Sequence, residues 1–224
     1  PKRSLIAILG TLLGGMLGVM IVLLRSFLKV GIIDLKTFTD LGLTVYATVP
    51  YSDKQLSASS ANVRPRQILS KKIKTTVNYN LLAKDYPDDS AIEALRSFRT
   101  CLRFLMSDSK NNRVMISSAS PGVGKSFVSV NLATLFANSG LRVLIVDADM
   151  RRSYLHRTFG VKSENGLAET LAGTMSVREV IRRTKVDNLY FIPRGKVPSN
   201  PSELLMGPMF AKISKELSED YDVI

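Results

Sequence analysis

The sequence predicts an α/β fold, a mostly parallel sheet flanked by helices and preceded by a membrane-spanning helix, and three observations predict it. Short apolar runs at 114–116, 143–146 and 189–192 alternate with longer stretches of helical spacing, the pattern of strand-helix-strand units around a buried sheet. Between the first run and the helix after it lies Ser117-Ser118-Ala119-Ser120-Pro121-Gly122-Val123-Gly124-Lys125-Ser126, a loop of small residues and glycines. Ahead of both, residues 4–24 carry no charge, about the ~20 residues that cross a hydrocarbon core as a helix.

The loop sets the chemistry. Small residues at 117–120 and glycines at 122 and 124 let the backbone wrap an anion, so that successive N–H groups converge on it. The following helix adds its positive end. Lys125 supplies a mobile charge for β/γ-phosphates, and the Ser126 hydroxyl is placed to ligate Mg²⁺. The stretch therefore reads as a nucleoside-triphosphate site for ATP with Mg²⁺, with Ser120, Pro121, Gly122, Val123, Gly124, Lys125, Ser126 and Phe127 around the nucleotide, and it makes the fold a P-loop NTPase one. The usual pattern G-x-x-x-x-G-K-[ST] has glycine where this chain has Ala119, and alanine tolerates only part of glycine's range.

Composition narrows the partners. Lys and Arg number 31 against 19 Asp and Glu, and such a basic chain meets nucleic acid, anionic lipid or phosphate. Much of the charge follows the first apolar segment, at Lys54, Arg64, Arg66, Lys71, Lys72 and Lys74, with no interleaved aromatics. Membrane lipid is the expected partner and nucleic acid is not. A single cysteine, Cys101, excludes a disulfide framework within the chain, points to a reducing compartment and reads as a packed thiol. The one histidine, His156, builds no metal site alone and is expected at the surface or an edge.

Taken in order, residues 1–30 are expected to be a transmembrane helix with its flanks. Lys2 and Arg3 on one side and Arg25 and Lys29 on the other anchor both interfaces and set no orientation. The apolar run exceeds the ~7–15 residues of a signal-peptide core. Gly10, Gly14 and Gly18 share one face and allow a second helix to approach closely. Residues 31–79 read as a juxtamembrane element, strand-like over 43–49 and ending at Pro50, then a basic linker from 52 to 79 whose cations gain about 1 kcal/mol each near anionic headgroups.

Residues 80–224 are the nucleotide domain. Asp88-Asp89-Ser90 offers N-caps for a helix to about 107, with Ile92, Leu95, Phe98, Leu102 and Leu105 at core spacing and Glu93, Arg96 and Arg99 on a displaced charged stripe. A helix from 127 to 139 carries Val128, Leu132, Leu135 and Phe136 inward and stops at Gly140. The run at 143–146 suits a strand buried on both faces. Asp147 and Asp149 stand at its carboxyl end, where ligands bind in open α/β sheets, positioned for the Mg²⁺ and the attacking hydroxyl. Further helices are expected at 167–172, 177–183 and 210–217, a strand at 189–192, and a proline-pinned loop from 198 entering a helix. A last strand starts at Tyr221. The chain begins with Pro1 and stops inside that element, so a fragment of a longer protein is expected.

The charge-free run 4–24, Glu93-x-x-Arg96-x-x-Arg99, the loop 118–126, Val146-Asp147-Ala148-Asp149-Met150-Arg151 and the segment 198–205 occur here in one order. Together they resemble the bacterial tyrosine kinases of capsule and exopolysaccharide synthesis, of the chain-length-determinant type. The resemblance implies a P-loop ATP site in which Ala-Ser-Pro is an accepted opening. It makes Gly124, Lys125 and Ser126 the phosphate and magnesium contacts, and Asp147 and Asp149 the second acidic motif, one of the two, Asp147 ahead of Asp149, taking the tyrosine proton. Glu93, Arg96 and Arg99 become the subunit contact of a homo-oligomeric ring, and Tyr154 a regulatory phosphotyrosine. It places the protein in the bacterial inner membrane with the kinase domain in the cytoplasm, meeting a cognate phosphatase and the polysaccharide export machinery. A third acidic strand motif is expected beyond Ile224, before which the sheet is incomplete, so the chain as written is expected to phosphorylate little. Two rivals remain. A septum-positioning or plasmid-partition ATPase places a lysine early in the loop, where this chain has Ala119-Ser120-Pro121, and a non-catalytic or ATPase-switch membrane scaffold controls chain length without phosphoryl transfer.

Overall fold

The computed structural model describes residues 3–27, 36–54 and 81–224, in two units, Pro1–Val45 and Tyr46–Ile224. In the first unit, helix α1 spans Arg3–Phe27, about 38 Å at ~1.5 Å per residue. Its described side chains are Ile8 and the fifteen at 10–24, and its large apolar ones are 49–76% exposed. A helix apolar all round has no polar face to offer water. Among the described residues no helix is long and apolar enough to cross a membrane, the other side chains of the expected span lying outside them. Helix α2, Lys36–Asp40, closes in a turn in which Gly42, at φ +75°, donates to the Thr39 carbonyl at 3.0 Å.

Residues 43–49 do not form the expected strand. Among the described residues no sheet edge lies beside them, and alternating polarity alone does not make a strand. Of the expected linker, 55–79 lies outside the described residues. The part that is described, Ser52 to Lys54, is not a tether: Ser52 is buried.

The second unit is built on three strands. Strand β1, Val143–Val146, runs parallel to β3, Leu189–Ile192, in register from Val143 with Leu189 to Val146 with Ile192. Between them in sequence, β2, Arg182–Arg183, pairs antiparallel with β3. This corrects the helix expected over 177–183: helix α8 is only Val177–Val180, because the exposed edge of β3 captures the two arginines. On the far side of β1, Val143 bridges Val223 in parallel. Ile224 in turn donates to the Asn112 carbonyl at 2.9 Å and accepts from the Val114 amide at 2.8 Å. Segment 112–114 therefore runs parallel to 222–224 and to β1, although only three residues lie beside it and 114–116 is no regular strand.

Strand alternation gives each face its own core. Val143, Ile145, Leu189 and Phe191 face Val130, Ala133 and Phe136 of α5, Lys125–Asn138. Leu144 and Ile192 face the other way, toward Leu167 and Leu171 of α7, Leu167–Leu171, and Ile213 and Leu217 of α10, Pro208–Asp220. Short α3, Leu82–Asp85, and α4, Ser90–Ser107, pack outside α5. Asp89 caps α4 as expected, accepting from the Ala91 amide at 2.9 Å. The apolar stripe of α4 is buried at Ile92 and Leu95, half-buried at Phe98 and Leu102, and exposed at Leu105. Helix α6, Leu155–Thr158, follows β1, and α9, Pro201–Met206, starts on a proline at its first turn.

Helix α7 is locked to the loop after β3. Leu167 and Ala168 donate to the carbonyls of Pro193 and Arg194 at 2.8 and 2.9 Å. The Glu169 carboxylate accepts from the amides of Gly166 at 2.8 Å and Lys196 at 3.0 Å. A Cβ on Gly166 would lie 2.1 Å from the Pro193 oxygen and 2.5 Å from the Gly195 nitrogen, backbone atoms that cannot swing aside. Gly166→Ala is therefore expected to cost about 1–3 kcal/mol, as overpacking does, read as a lowered denaturation midpoint with an unchanged m-value.

Candidate functional site

Topology brings the two predicted motifs to one edge. Segment 112–114 and β1 both run parallel to 222–224, so the loop after the first and the carboxylates after the second leave the sheet at the same end, where α/β sheets bind ligands.

The loop has the backbone an anion cradle needs. Gly122 and Gly124 hold φ of +78° and +101°, a region L residues avoid. Among the described residues only Asn165 and Asn188 hold positive φ without being glycine. Ala119 therefore sits in ordinary backbone space, which explains why this loop does not need glycine there. Gly124 is the N-cap of α5, so the positive end of a 14-residue helix opens onto the loop.

Lys125 reaches back across the loop: its Nζ donates to Ser118 Oγ at 2.8 Å and to the Ser120 carbonyl at 3.4 Å. Ser118 Oγ also donates to the Ser120 carbonyl at 2.7 Å. Ser118 was expected in the loop for its small size alone; that its hydroxyl holds the loop lysine, seven residues on, carries no signal until the loop folds. Ser126 is exposed. Phe127 packs its half-buried ring toward Leu82, Ile92 and Leu95, so what it offers a ligand is its backbone N–H, while its ring seats the first turn of α5.

The two acidic residues differ sharply. Asp147 is 2% exposed, its amide donates to the Ile192 carbonyl at 3.0 Å, and its Oδ2 accepts a hydrogen bond from the Ser153 hydroxyl. Burial pushes its carboxyl up to about 6, against the pull of the Ser153 hydroxyl. Arg194 also lowers it, and burial, then Arg157 and Arg194, hold His156 below its usual range. Asp149 is exposed and turns Oδ1 to the amides of Arg151 and Arg152, at 3.1 and 2.9 Å. A buried, raised carboxylate beside a solvated one is the arrangement that separates a proton acceptor from a charge-bearing ligand. Ser153 and Arg194 were also missed, since both act through space.

Tyr154 is 56% exposed, with the Arg157 guanidinium 4.8 Å from its ring centroid. The charged stripe of α4 is split in its partners. Glu93 and Arg96 pair with each other at 2.6 Å on the surface, whereas Arg99 Nη1 donates to the Leu135 carbonyl at 2.8 Å and so docks α4 onto α5.

Among the described residues no group of three or more His, Cys, Asp or Glu converges on one point. Mg²⁺ takes one or two protein oxygens and the rest from phosphate and water, and the donors at this sheet edge, a hydroxyl and two carboxylates, are oxygens of that kind. Ser126, Asp147 and Asp149 are the side chains able to serve.

The AAA domain family matches residues 112–224. The tyrosine-protein kinase ptk of Acinetobacter johnsonii is 46% identical over 223 residues, covering 99% of this chain and 29% of that protein. Among solved structures, the BceF tyrosine kinase domain is 38% identical with a TM-score of 0.75, covering 87% of this chain and 75% of that one. The kinase domain of Escherichia coli tyrosine kinase ETK is 39% identical with a TM-score of 0.74, covering 86% and 72%. The chain spans about three tenths of the length of the curated relatives it matches.

Proposed function

The chain belongs to the AAA domain family and to the bacterial tyrosine-protein kinases, and from that membership we propose that it is the nucleotide-binding part of a membrane-anchored, autophosphorylating protein-tyrosine kinase. The observation that carries the reading is the meeting, at one sheet edge, of the loop ending in Lys125-Ser126 with the unlike carboxylates Asp147 and Asp149. ATP lays its β/γ-phosphates on the N–H groups of Ser120 and of 122–127, with Lys125 following the charge as it develops. Ser126, Asp147 and Asp149 would hold Mg²⁺, whose charge would offset that of the phosphates. Asp147 accepts the phenolic proton as the tyrosine oxygen forms its bond to the γ-phosphorus and the bond to the β,γ-bridging oxygen breaks, giving ADP and phosphotyrosine.

The wider roles follow from the same family reading. Helix α1 anchors the protein in the bacterial inner membrane, which leaves the kinase domain in the cytoplasm. Glu93, exposed on α4, and half-buried Arg96 contact the next subunit of a ring, and Arg99 supports them by fixing α4 on α5. Tyr154 is a modification site beside the active centre, and the pathway served is capsule or exopolysaccharide polymerisation and export. The deciding experiment gives the intact protein γ-labelled ATP in its own membranes. Label on tyrosine is expected. Labelled free phosphate without phosphotyrosine would overturn the kinase reading in favour of an ATPase switch on a scaffold.

A further inference from the structure

Two helices of the core begin in the same way. The Glu169 carboxylate accepts from the amide of Gly166, the N-cap of α7, at 2.8 Å, and the Glu179 carboxylate from the amide of Ser176, the N-cap of α8, at 2.7 Å. Glu169 does more: its other oxygen accepts from the Lys196 amide at 3.0 Å, 27 residues along the chain. That amide closes the loop 193–196, which leaves β3 at Ile192. Ile192 pairs with Val146 and accepts from the Asp147 amide, so the loop runs beside the acidic residues. Helix α7 holds it residue by residue. The carbonyls of Pro193 and Arg194 accept from Leu167 and Ala168, and buried Gly195, at φ +87°, lies so close that a Cβ there would stand 2.1 Å from Glu169 Oε2. Burial pushes the Glu169 carboxyl up, but the amides of Gly166 and Lys196 outweigh it and hold it below its usual range. Arg194 follows the loop it sits on: its Nε donates to the Gly195 carbonyl at 3.3 Å, and its charge is felt by both Asp147 and His156.

We infer that Glu169 is a positioning residue for phosphoryl transfer: by clasping the amides of Gly166 and Lys196 together it fixes the loop 193–196, and through that loop it holds the Arg194 guanidinium at the sheet edge where Asp147 and Asp149 stand. The inference rests on the nucleotide-site reading above and adds to it a residue whose own hydrogen bonds all stay within the chain. A cation on a long side chain does little for a transition state if it must be ordered at the moment of reaction, whereas one already in place costs no reorganisation then. Two hydrogen bonds to an ionised carboxylate are the stronger kind, and they tie the loop to a helix whose Leu167 and Leu171 are buried under the sheet. The phosphate loop 117–126 belongs to another part of the chain and receives nothing from Glu169, so loosening the clasp leaves nucleotide binding alone and moves the chemical step. Glu179 is the built-in comparison, since it caps a helix in the same manner without reaching the sheet edge.

The test compares wild type, Glu169→Gln, Arg194→Ala, the double variant and Glu179→Gln in the intact protein, measuring transfer of the γ-phosphate of ATP to any acceptor, tyrosine or water. Glutamine has the shape of glutamate but turns an N–H₂ toward one of the two amides. Glu169→Gln is expected to lower kcat about 10–100-fold, the scale of a small misplacement, with KM for ATP within about twofold of wild type. Glu179→Gln should turn over as wild type does. Because Glu169 acts through Arg194, adding Glu169→Gln to Arg194→Ala should cost almost nothing more, a non-additivity that a general loss of stability would not produce. Hydrogen exchange of the same proteins should quicken at 193–196 in Glu169→Gln and stay slow in β1. Should glutamine unfold the chain, Glu169→Asp, which keeps the charge on a shorter arm, carries the same comparison. Unchanged kcat in Glu169→Gln, a double variant that falls by the product of the two single losses, or unaltered exchange at 193–196 would each overturn the inference. Which acceptor wild type labels decides the kinase reading separately, because the role of Glu169 is read from the ratio of rates and not from the acceptor.

Discussion

Replacing Lys125 with methionine is expected to reduce phosphotyrosine formation by the intact protein by about 100-fold or more, the scale on which removal of one preorganised charge from a transition state is felt. Phosphoryl transfer leaves the protein little covalent work, so positioning and charge supply most of the rate. Lys125 is the cation in the first helical position after the loop, and its contacts within the chain are to Ser118 Oγ and the Ser120 carbonyl. Both are in the loop and exposed to solvent, so methionine forfeits no buried partner and the folded core is expected to melt where wild type does. The decisive comparison is phosphotyrosine per molecule at matched expression in the same membranes, with thermal denaturation as the control. Equal phosphotyrosine in the two proteins would remove Lys125 from the mechanism.

How much of this was readable beforehand depended on sequence distance. The phosphate loop was legible because all its requirements are local: two glycines at left-handed positions, a lysine and a hydroxyl at the start of a helix. The tolerance of Ala119 was not, since the motif alone does not say which loop positions need positive φ. Strands β1 and β3 were visible as apolar runs, while β2 was read as helix because Arg182 and Arg183 owe their conformation to β3 and not to their own propensity. The same holds within the site. Asp147 and Asp149 look alike in sequence, two residues apart, yet one is buried against Ser153 and influenced by Arg194 while the other caps a turn. Arg99 read as a surface charge beside Glu93 and Arg96 until the Leu135 carbonyl, 36 residues away, gave it a partner. Ser52 read as the start of a linker for that reason too: Ser52 and Asp89, which it meets at 2.9 Å, announce nothing to each other in sequence.

Asp147→Asn is expected to make the nucleotide-free protein more stable above pH 6 while stopping phosphoryl transfer. The Asp147 carboxyl titrates near 3.8 when unfolded and at about 6 in the fold, raised first by burial. Between those values the folded chain binds the extra proton, so stability falls as pH rises through the window and stays reduced above it. The difference is worth on the order of 3 kcal/mol. Asparagine keeps the shape and an oxygen to accept from Ser153, and it has no charge to bury. Its midpoint should therefore exceed that of wild type at pH 7–8 and converge with it below about pH 4, where both side chains are neutral. Thermal denaturation across this range, with chelator present so that a cation cannot stabilise one protein selectively, measures it directly. A midpoint difference that does not change with pH would show that Asp147 is not carrying a buried charge. Loss of the proton acceptor is expected to lower phosphotyrosine formation by roughly 10²–10⁴-fold. A substitution that strengthens the fold while removing the chemistry is the mark of a residue held in an unfavourable place for its function, because a carboxylate easily ionised there would be too weak a base to take the phenolic proton.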